Sequence, residues 1–146
     1  MNPCNLRRLE NIIGMTGRLL RAYHIEFDWR MLASWIYLIE EWPYRCSLIV
    51  LHYEEHSNEF NLETTMTEIY SVIKTRILNI KNAKSLLELD KSERKFEQFL
   101  FKCKPTITVS ILNKILPFTC NLDTHLMKLV KGYFLFNYFL VFYDFV

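Results

Sequence analysis

Apolar residues recur at three- and four-residue intervals along most of the chain, the spacing of helices that bury one face. Asn2-Pro3 predicts the first start, with Asn as N-cap and Pro at the first helical position. Leu6, Leu9, Ile13 and Leu20, flanked by Ile12 and Leu19, carry that helix to about Ala22. Asp28 is the next N-cap, and Trp29, Leu32, Ile36 and Ile39 extend a second helix to Glu41. Pro43 ends it, because proline disfavours helical geometry in the residue before it. The same proline is placed to open a third helix, with Leu48, Ile49, Leu51 and His52, fading near Glu55. The polar stretch HSNEFNLE reads as a loop. A fourth helix is predicted over about Thr65–Leu78, around Ile69, Val72, Ile73 and Ile77. A short helical turn follows over Lys84–Leu89, and Asp90 with Glu93 suggests a capping box for a helix containing Phe96, Phe99 and Leu100. The last helix spans about Thr108–Leu116 and is stopped by Pro117, with a short strand at Thr106–Val109 as the alternative. The expected fold class is all-α, with about six helices and at most one short strand.

The final segment differs in kind. From Gly132 it reads GYFLFNYFLVFYDFV, 15 residues interrupted only by Asn137 and Asp144. A membrane-spanning helix needs about 20 apolar residues, and extending this run backwards meets Lys131 and Lys128. It fits a buried terminal helix or strand, a truncated or interfacial membrane segment, or non-native sequence from a mispredicted exon, since T-rich codons give this residue mix. The chain is therefore read as a helical segment, 1–126, followed by an apolar tail of uncertain origin, 127–146.

Composition narrows the function classes. The 146 residues suffice for one domain, and 51% hydrophobic with 23% charged residues is globular rather than disordered. Only Gly14, Gly17 and Gly132 are glycines, which disfavours a turn-rich β fold and a glycine-built phosphate cradle. A net charge of +2 is too weak to imply nucleic acid. The basic residues cluster, however: Arg7, Arg8, Arg18 and Arg21 stand against Glu10 in the first helix. Such a face suits a solvated surface, phosphates or an anionic membrane. Cys4, Cys46, Cys103 and Cys120 are widely spaced without a C-x-x-C pair, which argues for free thiols in a reducing compartment. The N-terminus lacks the apolar stretch of a secretory signal and opens abruptly on a helix start. That reads as a chain beginning inside something larger.

Candidate chemistry is sparse. His52, Glu55 and His56 form an H-x-x-E-H pattern, and two histidines four apart on a helix can share a zinc ion. A zinc hydrolase also needs a third ligand and a base beside the bound water, and no second motif supplies the ligand. The bland reading is a helix end carrying acid and imidazole groups. No G-x-S-x-G elbow and no Walker A pattern is present. Trp29, Trp35 and Trp42 recur about every two helical turns, as a core-facing stripe with Trp42 plugging a helix end, or as a partner surface.

The segment NLRRLENIIGMTGRLLRAYHIEFDWRMLASWIYLIEEWPYR, residues 5–45, resembles the KAP family of P-loop NTPases. Arg7 to Leu9, Thr16 to Arg21, Phe27, Trp29, Leu32, Ser34 to Ile36 and Glu40 to Arg45 carry the resemblance. It continues at Leu86 to Asp90 and Phe96 to Leu100, and closes at Leu116 to Asp123, covering roughly residues 2–126. The resemblance implies the helical part on the C-terminal side of an NTPase module, with the nucleotide-binding loop upstream. It implies a non-catalytic scaffold segment without a cofactor of its own, on the cytoplasmic side of a membrane. Large members of the family act in neurotrophin-receptor-type signalling, so the implied partners are signalling proteins, protein kinases among them, or the rest of the module. Arg7, Arg8, Arg18 and Arg21 would face that module or lipid head groups, and Trp29, Trp35 and Trp42 would hold helices together. Many KAP proteins have an N-P-R sequence at this helix start, where Cys4 stands here. That departure weakens a nucleotide-sensing role and leaves a structural one. The similarity stops near Leu126, so the tail reads as foreign to this fold. A free-standing cytoplasmic helical adaptor is the alternative to a scaffold segment.

Overall fold

A computed structural model of the chain describes residues 3–77, Asp90, 92–103 and 106–119. Among these the protein is all-α, with six helices and no strand. They are α1 (Pro3–Ala22), α2 (Trp29–Glu41), α3 (Pro43–Glu55), α4 (Met66–Ile77), α5 (Glu93–Lys102) and α6 (Val109–Thr119). The Asn2 cap, the turn over Lys84–Leu89 and the tail 127–146 lie outside the described residues, as do parts of the resemblance at 86–89 and 120–123.

Helix α1 ends in a Schellman motif. The Ile25 N–H reaches the Leu20 carbonyl at 2.9 Å and the His24 N–H reaches Arg21 at 3.0 Å. His24 takes the left-handed conformation that closes this motif, with φ of 57°. Asp28 caps α2 as its residue type predicts: Oδ1 accepts from the Arg30 N–H at 2.8 Å and the Met31 N–H at 3.2 Å. Trp42 ends α2 and precedes Pro43 at the start of α3. Its own side chain caps nothing there. Helix α3 is the central element, and every residue from Arg45 to Tyr53 is buried. It lacks the polar face of a surface helix because its neighbours cover it on all sides.

Helix α4 begins with a reciprocal capping box: the Thr65 N–H donates to Glu68 Oε2 at 2.9 Å, and the Glu68 N–H to Thr65 Oγ1 at 3.3 Å. Thr65 pairs with Thr108 in an isolated antiparallel bridge, so the predicted strand alternative shrinks to that contact. The bridge ties two helix starts together. Met66 N–H donates to the Ile107 carbonyl, and Val109 N–H to Thr64, both at 2.9 Å. Helix α6 runs past the expected stop and holds Pro117 within it. In the last turn proline removes a single N–H, and burial of Ile115, Leu116 and Thr119 holds the turn in place.

Each helix from α1 to α4 packs on the next, α5 packs on α4, and α6 returns to α1. Trp35, Phe96, Leu20, Leu32, Ile36 and Ile49 are among the fully buried side chains of one continuous core.

Candidate functional site

The expected tryptophan stripe divides by depth. Trp35 and Trp42 are buried, and each spends its indole N–H on a distant element. Trp35 Nε1 donates to Thr119 Oγ1 at 3.0 Å, joining α2 to the end of α6. Trp42 Nε1 donates to the Ser92 carbonyl at 3.2 Å, holding the chain just before α5. Its ring meets Phe96 edge-on at 5.3 Å and Tyr37 at 5.9 Å. Trp29 is 41% exposed. It lies over α1 at Gly17, where a methyl group would overlap its benzo ring, so the missing side chain is what lets the indole approach the helix. The Arg21 guanidinium sits 5.1 Å from the same ring, in cation–π range.

All four arginines of α1 are exposed. Arg8 reaches Glu40 of α2 at 3.4 Å, a solvent-screened pair that adds little stability. With Arg21 engaged on Trp29, Arg7 and Arg18 lie off both contacts.

The H-x-x-E-H residues do not converge. His52 is buried, Glu55 is exposed and ends α3, and His56 is the residue that caps it. The two imidazoles stack at 4.3 Å between centroids, and Phe60 packs edge-on against His52 at 5.7 Å. His56 Nδ1 lies 3.1 Å from the His52 carbonyl. Stacked rings present parallel edges, whereas a shared zinc needs lone pairs aimed at one point. Among the described residues no group of three or more His, Cys, Asp or Glu could hold a metal ion.

The strongest polar constellation is one the residue pattern did not single out. Asp90, expected to cap its own following helix, instead reaches the start of α3. Its two oxygens accept from the Tyr44 N–H at 3.1 Å and the Arg45 N–H at 3.0 Å. The Arg45 guanidinium closes the arrangement at 3.2 Å, with side-chain exposures of 8% for Arg45 and 0% for Asp90. The carboxylate thus supplies in trans the cap that the Trp42 side chain cannot give. Burial raises the Asp90 carboxyl above its ordinary value, against the pull of those N–H groups and of Arg45. Burial also pushes the neighbouring Cys46 thiol well up, with the Asp90 charge adding to it. Nothing local marks Arg45 and Asp90 as partners; only the resemblance-bearing segments contained both.

Between α4 and α5 runs an open groove of about 600 Å³, lined by Tyr70, Leu100 and Phe101 among others. Lys74 spans it, 2.6 Å from Glu97 and 3.7 Å from Glu93, and the Tyr70 hydroxyl donates to Glu93 at 3.1 Å. Phe101 is 81% exposed at the rim. No described helix is long and apolar enough to cross a membrane.

Comparison with known proteins gives one kind of relative. The chain is 42% identical over 130 residues to the kinase D-interacting substrate of 220 kDa from rat, and equally to the human protein. The match covers 89% of this chain but 7% of each relative's length. No family model matches the chain, and no solved structure matches it.

Proposed function

We propose that the chain is a non-catalytic helical segment of a KAP-type signalling scaffold, with the kinase D-interacting substrate as its relative. The observation that carries this is identity of 42% sustained across 89% of the chain. Residues that carry the KAP resemblance are also those that join helices here: Gly17 under Trp29, Trp35 on Thr119, and Arg45 on Asp90. A segment whose distinctive residues serve packing acts by shape and surface, with no reaction centre of its own. Its role is to complete the scaffold on the cytoplasmic side of a membrane, against the NTPase module, and so to help assemble signalling proteins such as the kinase that the relative's name records.

The test is complementation. The matching 130 residues are deleted from the human relative, and this chain is supplied in trans. Co-purification of the two, with restored capture of kinase D, is the expected result. If the chain stays apart from the deleted scaffold while retaining its helical circular dichroism spectrum, the scaffold reading fails.

A further inference from the structure

The outward side of α1 combines an excess of basic charge with apolar exposure; Glu40 of α2 meets it at Arg8. Arg8, Asn11, Met15, Arg18, Leu19 and Ala22 follow one another at helical spacing and are all exposed. Met15 is 64% and Leu19 43% exposed. The helix carries four arginines against Glu10 alone, which lies three residues from Arg7 at the edge of the face. Arg7 flanks the stripe, and Tyr23, 64% exposed, closes its end against Phe118 at 5.2 Å.

From this we infer that the outward face of α1 seats on an anionic bilayer surface, arginines at the phosphates and Met15 and Leu19 in the headgroup boundary. Charge complementarity selects the partner: Arg7 and Arg18 stand outside the Arg8–Glu40 pair and give the face an excess of positive charge, which fits a negatively charged surface. Shape selects a bilayer over a folded protein. The face is one side of a single helix, whereas a specific protein contact buries about 800 Å² per partner in complementary surfaces. A bilayer is deformable and asks only for basic side chains interleaved with apolar ones along a helix lying in its plane. This deepens the membrane-side part of the proposed function and rests on it only for location.

The test uses the full 146-residue chain and vesicles of phosphatidylcholine with or without phosphatidylserine, read by flotation at low and physiological salt. Binding is expected with phosphatidylserine, weakening as salt rises. Arg7→Glu with Arg18→Glu lowers the partition coefficient by about tenfold or more, and Met15→Ser with Leu19→Ser lowers it at both salt concentrations. All four positions are exposed, so circular dichroism should match the parent. Absence of binding to charged vesicles overturns the inference. So does equal binding to neutral and charged vesicles that the arginine variant leaves unchanged, because another part of the chain is then responsible. Either result leaves the complementation experiment to decide the scaffold reading separately.

Discussion

His24 holds a positive φ that a side chain disfavours, because the turn after α1 requires it. His24→Gly should therefore stabilise the fold by about 1 kcal/mol, seen as a higher urea midpoint at unchanged slope. The two described glycines of α1 separate by environment. A methyl group at Gly14 would have no neighbour within 4 Å, so Gly14→Ala should add about 1 kcal/mol through helix propensity. At Gly17 the same change displaces the Trp29 ring and disturbs its approach to Arg21. Gly17→Ala should be destabilising, by up to about 2 kcal/mol after the propensity gain, with tryptophan emission shifted to the red. Equal thermal gains in both alanine variants would refute the notch. Asp28 was legible from residue type alone, because an N-cap bonds to N–H groups two and three residues on. The Gly17 notch was not, because its cause is a side chain on another helix.

At the scale of elements, α3 depends on a residue 45 positions beyond the arginine it binds. Asp90→Ala removes two caps from the helix start and leaves the Arg45 guanidinium buried without its carboxylate. The expected cost is about 3–5 kcal/mol, a large share of a typical domain stability of about 5–15 kcal/mol. Chemical denaturation measures it; a loss below about 1 kcal/mol, that of an ordinary cap, would show that the ion pair contributes nothing. The pH dependence has a defined sign. The Asp90 carboxyl is raised in the folded state, so its contribution is greatest below about pH 4 and is lost as pH rises through the raised value. The stability advantage of the parent over Asp90→Asn should be widest in acid and narrow toward neutrality, in melts run across that range. Helix α6 shows the converse dependence on context. Pro117 predicts a stop on local grounds, yet the helix continues to Thr119, where Trp35 takes up the threonine hydroxyl.

Across the whole molecule the thiols report solvent access. Cys4 is exposed on α1, whereas Cys46 and Cys103 are buried. Native-state alkylation followed by peptide mass spectrometry should modify Cys4 first and reach Cys46 and Cys103 only on unfolding; rapid labelling of Cys46 would contradict the packing around α3. Helix order and most boundaries were legible because apolar periodicity, caps and prolines act within a turn or two of chain. Helix α5 starts after Ser92 and not at Asp90, although Asp90 and Glu93 have capping-box spacing, because α3 competes for the same carboxylate and wins it. His52 and His56 likewise have metal-ligand spacing along the chain, and only packing turns their rings into a stack against Phe60.

By itself the sequence determined the all-α class, the apolar faces of the helices and the basic composition of α1, since each follows from side chains near one another along the chain. Tertiary structure alone decided that Asp90 caps α3, that Trp29 lies over Gly17, and that the α1 face with Met15 and Arg18 stays outward. Those outcomes depend on competition between distant groups for the same hydrogen-bond donors and the same buried space, which no local pattern encodes.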